Sequence, residues 1–161
     1  MVINRKLLLI FLFSALLAVG CVGKTNPTAT DEAAVKETTL PMENIKVNNL
    51  DLQVEVADTP EARTQGLSGR AELAEGKGML FDFTGEINNK PGFWMKSMLI
   101  SIDIIWIKDG IVLGIEPDVP TQPTNQNLPS YYPPSEITHV LEVPAGWAKK
   151  NNVTAGSKVT L

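Results

Sequence analysis

Between residues 44 and 161 apolar side chains recur mainly at every second position, a period that suits strands and not amphipathic helices. Leu50, Leu52, Val54 and Val56 alternate with Asp51, Gln53 and Glu55, as in a strand with one buried and one wet face. Ile45 and Val47, just before Asn48-Asn49, fit a hairpin partner for it. Further strands are predicted over residues 79–83, 93–98, 102–107, 111–115, 137–143 and 158–161, and Asp109-Gly110 is a two-residue hairpin signal. Two short helices interrupt the pattern. In the first, Thr59 can cap, Pro60 takes the first helical position, Glu61 complements the dipole and Gly66 ends the turn. The second is predicted over residues 145–151, with Trp147 as its apolar anchor and Lys149 and Lys150 at its C-terminal end. The expected fold is mostly β, a compact barrel or sandwich of about seven or eight strands with two short helices.

The residues before this region carry an address. Arg5 and Lys6 precede an apolar run from Leu7 to Leu17, followed by the small residues Ala18 and Gly20, which reads as a signal peptide over residues 1–20. The run is too short to span a bilayer core, which takes about 20 apolar residues. Cys21 follows directly. Leu17-Ala18-Val19-Gly20-Cys21 resembles a lipobox, the site where a lipidated cysteine becomes the new N-terminus after cleavage, with Ala18 where leucine is commoner. Cys21 is the only cysteine, so a processed chain would have no thiol for disulfides, thiol catalysis or zinc ligation. Residues 21–43 are expected to form the lipid-anchor site and a flexible tether: they are rich in Thr, Ala, Asn, Glu and Lys and contain no aromatic residue. The expected location is outside the cytoplasm, on the outer face of the cytoplasmic membrane or another envelope membrane, with membrane lipid as a partner through Cys21. Without Arg5 and Lys6 there are 12 basic against 18 acidic residues, a formal net charge of −6, which disfavours nucleic acid as a partner.

Taken together, VEVADTPEARTQGLSGR (54–70), GMLFDF (78–83), FWMKSM (93–98), SIDIIWI (101–107) and HVLEVPAGW (139–147) resemble the "domain of unknown function 192" family, and the resemblance spans nearly the whole domain. It implies a small, single, mostly β domain that is often exported. It brings no activity or cofactor with it. This chain has Ser101-Ile102-Asp103 where the family usually has Pro-Leu-Asp, and Ser97-Met98 where Asn-Thr is usual.

Asp103 is the most informative single residue. Alternation puts it on one strand face with Ile105 and Ile107, while Ile102, Ile104 and Trp106 fill the other, so both faces look buried. An unpaired ionised carboxylate there would cost several kcal/mol, so it should either find a cation or stay protonated. Arg70, whose planar fork suits a carboxylate, is the expected partner; Arg63 and Lys96 are the other candidates. One reading of this pair is structural, fixing helix against sheet. The other makes Arg70, Trp94, Lys96 and Asp103 a ligand-binding site for an anionic or sugar-like molecule, with Trp94 as an apolar wall.

Two further readings compete with a binding module. A hydrolase acting on an envelope polymer would need an acid/base pair, for which Asp103 and Glu142 are the best available, although alternation makes Glu142 a solvent-facing residue. A copper carrier would use the thioethers of Met79, Met95 and Met98 with His139; against it, Met95 and Met98 should point to opposite faces of their strand, and no metal site is expected. No GxSxG-type elbow surrounds any serine. Residues 117–134, with six prolines and the adjacent Tyr131 and Tyr132, are expected to form a surface loop and not a central strand.

Overall fold

The computed structural model describes residues 39–161; the expected leader, Cys21 and the expected tether as far as residue 38 lie outside them. The fold is mostly β with two short helices. β1 (Met42–Val47) and β2 (Leu50–Ala57) form the expected hairpin, with Asn48 in the left-handed region at the turn. α1 (Pro60–Gln65) follows, with the Thr59 side chain accepting from the Ala62 amide at 3.2 Å and Gly66 as its C-cap. A loop then leads into β3 (Lys77–Asp82), which runs parallel to β2. β5 (Ile102–Lys108) and β6 (Ile111–Val119) meet at Asp109-Gly110, both at positive φ as a type I′ turn requires. β8 (His139–Pro144), α2 (Trp147–Lys150) and β9 (Val159–Thr160) complete the chain. The strand order is β6-β5-β8-β3-β2-β1-β9, and the sheet curls into a half-barrel: Lys158, just before β9, bridges back to Ile111 of β6, and Val112 donates to the Ser157 carbonyl.

Apolar residues fill both faces of this sheet. Inside the curl lie Ile45, Leu52, Val54, Ile105, Leu141 and Val143, closed by Trp147 from α2. On the outer face a second cluster gathers Met79, Phe81, Ile104, Trp106 and Val140 under α1 and the segment around Phe93. β5 is buried along its whole length except its last residue because it supplies side chains to both. Each such large side chain contributes roughly 1.5–3 kcal/mol by leaving water, so the two-faced centre, not the edges, holds the domain together.

Three sequence expectations are corrected. The strand over residues 93–98 shrinks to β4 (Phe93–Trp94), which pairs with β7 (Ser130–Tyr131) in a separate two-stranded sheet. Beyond Trp94 the chain turns: Met98 donates to the Met95 carbonyl and Ser97 sits at φ 56°. Met95 and Met98 therefore bury in the same cluster instead of on opposite faces. Strand β6 runs past residue 115 through Pro117, which is tolerated because β6 lies at the end of the main ladder and the register with β5 slips there.

Candidate functional site

On the outer face, the end of α1 and the loop after it stand over β3 and β4, leaving a cavity of about 300 Å³. Phe93 organises its wall. Its ring meets Phe81, Phe83 and Trp106 edge-on, with centroids 5.0, 6.3 and 5.5 Å away. Trp94, half exposed at 51%, stands at the mouth, as does Gly92, where a Cβ would come within 2.9 Å of the Tyr132 ring. The rim is tied down by polar contacts. Ser68 donates to the Lys96 carbonyl at 2.8 Å, Gly69 donates to that of Ser97, and the Asn125 side chain bonds both the amide (2.8 Å) and the hydroxyl (3.0 Å) of Ser97. The last contact gives part of the proline-rich segment a fixed place.

Glu142 lies at the floor of this cavity. β8 is a central strand, and Glu142 pairs with Met79 on one side and Ile104 on the other, all three on the outer face. It is only 5% exposed, and burial alone acts on its carboxyl group, with no hydrogen-bonding or charged partner among the described residues. Burial pushes its pKa up from the usual carboxylate range to about 8, so the side chain is mostly protonated at neutral pH. This corrects the solvent-facing expectation. Alternation does put Glu142 opposite Leu141 and Val143, but the face it occupies is covered by the aromatic cluster. The signal in the sequence is the neighbourhood: an acid within a run as apolar as His139–Val143 belongs to a strand buried on both faces, as Asp103 does.

Asp103 is fully buried, as expected, but Arg70 is not its partner. Its Oδ1 accepts from the amides of Asp118 (2.8 Å) and Gly146 (2.9 Å), and its Oδ2 from that of Ala148 (2.8 Å). The Asp118 amide is available because the register slip at Pro117 leaves it outside the β5–β6 ladder; the other two open the turn into α2. Three backbone donors replace the cation. Arg70 instead makes a two-pronged ion pair with Glu55 of β2, and Lys96 is exposed. Of the four candidate ligand residues, Trp94 alone borders the cavity.

The register also separates the two carboxylates. Ile104, not Asp103, stands opposite Glu142, so Asp103 and Glu142 project from opposite faces and cannot act on one bond. Met79, Met95 and Met98 share the outer cluster, but His139 alternates with Leu141 and Val143 toward the other face, beside Asp82 and Thr138. The four do not converge. The other charged residue on the cavity wall is Arg63 of α1, whose guanidinium sits 4.7 Å over the Phe83 ring and is held by Glu86 at 2.7 Å and by the carbonyls of Asp58 and Asp82.

The domain is thus a small β half-barrel with a cavity on its outer face, in whose wall the buried acid Glu142 stands. The DUF192 family model, described as "Uncharacterized ACR", matches residues 43–161, and the chain belongs to that family. Among solved structures it is similar to a protein from Sinorhizobium meliloti 1021 described as a candidate transcription regulator, at 29% identity and a TM-score of 0.67, covering 76% of this chain and 95% of that one. It also resembles a protein of unknown function from Novosphingobium aromaticivorans DSM 12444, at 24% identity and a TM-score of 0.70, covering 85% of this chain and 99% of that one; this likeness is one of fold. No curated protein matches.

Proposed function

We propose that this chain is an exported lipoprotein whose domain binds a small ligand in the Glu142 cavity, serving the cell envelope as an accessory binding module. One observation carries the binding reading: a carboxyl group on a central strand, without a hydrogen-bond partner among the described residues, opens on an aromatic-walled cavity at the lower end of ligand-site volumes. A wall with only a packing role would hold an apolar side chain there, because burying an unpartnered carboxyl costs stability whether it is ionised or neutral. A carboxyl group whose pKa is raised by burial and which sits in a cleft is a candidate functional position. The envelope part is supported by the leader-like residues 1–20 and by the place of the chain's only cysteine directly after them.

The test is a thermal-shift screen of the full chain in mild detergent against amines, envelope sugars, peptidoglycan fragments, nucleotides and metal ions. Mass action raises the midpoint for any ligand that prefers the folded state. A hit in the wild type that weakens in Trp94→Ala supports the cavity; no shift from any class refutes it. Cys21→Ala should abolish labelling by a fatty-acid probe, and persistent labelling would refute the anchor.

A further inference from the structure

We infer that the cavity takes an organic cation, its ammonium group seated on the Glu142 carboxylate and its alkyl groups against Phe93 and Trp94. This rests on the cavity being a binding site and names the class of ligand.

The charges around the cavity favour that class. Glu142 and Arg63 are the only charged residues on its walls among the described residues. Arg63 is already occupied, by Glu86, by two backbone carbonyls and by the face of Phe83, which leaves no free positive charge for an anion. The acid has no counterion among the described residues. Its neighbours across the sheet on the same face are Met79 of β3 and Ile104 of β5, and the next residues outward in that row are Glu55, paired with Arg70, and Glu116 of β6. α1 contributes Arg63, and β4 and its turn contribute Phe93, Trp94 and Met98. Aromatic faces attract cations, as the seat of Arg63 on Phe83 already illustrates at this rim. A neutral ligand would use the aromatic wall equally well but would leave the acid in its protonated form, whereas a cation supplies the counterion that the ionised form lacks.

The consequence is a proton exchanged for a cation. Glu142 holds its proton up to about pH 8 in the empty site, so a bound cation must displace it. Affinity for a permanently charged ligand should therefore rise about tenfold per pH unit below that point and level off above it.

Choline and its uncharged isostere 3,3-dimethylbutan-1-ol separate charge from shape. Each is titrated calorimetrically into the full chain in nonionic detergent at pH 6, 7, 8 and 9, with wild type and Glu142→Gln, whose folding is checked by its melting curve. We expect choline to bind at least about tenfold more tightly than the isostere, with the pH slope above, and Glu142→Gln to lose the slope and at least about tenfold in affinity. Equal affinity for choline and the isostere, or undiminished choline binding by Glu142→Gln, overturns the assignment. If choline, tetramethylammonium and n-butylammonium all fail to bind, the cation class is wrong; a neutral hit in the thermal screen then leaves the cavity reading standing, and a blank screen ends both.

Discussion

Replacing Glu142 by Gln should make the domain more stable at pH 8, not less. A carboxyl whose pKa moves from 4.5 in the unfolded chain to about 8 in the folded one binds its proton more tightly when folded. Below pH 4.5 both states hold the proton and the group adds no pH dependence. From there to about pH 8 the unfolded chain has released the proton while the folded one keeps it, so stability falls by about 1.4 kcal/mol per pH unit; above pH 8 both are ionised and the loss is complete. Summed over that window the loss is on the order of 5 kcal/mol, large against the 5–15 kcal/mol of a typical domain. Glutamine keeps the shape and cannot titrate. Urea unfolding followed by tryptophan fluorescence at pH 5, 6, 7 and 8, for wild type and Glu142→Gln, reads the difference directly, since every other titrating group is common to both. The gap should shift toward the variant by several kcal/mol between pH 5 and 8. Parallel stability curves would refute both the burial of the acid and its protonation.

Asp103→Asn puts an amide NH₂ where one carboxylate oxygen now receives a backbone amide, so at least one buried donor loses its acceptor. The cost should be about 2–3 kcal/mol, a fall in Tm of roughly 10 °C by calorimetry. Gly78→Ala drives a Cβ to 2.8 Å from the Glu142 carbonyl oxygen, between Leu141 and Val143, and should cost about 1–3 kcal/mol; an unchanged urea midpoint would show that the sheet gives way freely there. Burial lowers the pKa of His139 despite the opposing pull of Asp82. NMR titration should place its midpoint below the ordinary histidine value of 6.5, and the group should make the fold less stable as pH falls through that value, because only the unfolded chain then takes the proton readily. A midpoint at or above 6.5 would overturn this.

Local chemistry was legible wherever neighbours along the chain decide it. The alternation of β2, the Thr59-Pro60-Glu61 start of α1 and the Asp109-Gly110 turn each rest on backbone preferences within a few residues, and each appears where expected. The strand over residues 93–98 failed because an apolar run does not say whether its chain stays extended; the bonds of Ser97 to Asn125 and Gly69, some 28 residues away in either direction, bend it. Pro117 misled for a similar reason, since its exclusion holds for a central strand and β6 is at the end of its ladder.

The periodicity, the helix caps, the hairpin turns and the burial of Asp103 all follow from side-chain type and spacing along the chain. What satisfies Asp103 depends instead on how distant segments pack, since its three donors are backbone amides that no side chain announces. The site was decided in the same way. Alternation marks Glu142 as facing away from one core, but whether water or a second core lies on the other side depends on α1 and β4 folding over β8, a contact between segments nearly 50 residues or more apart.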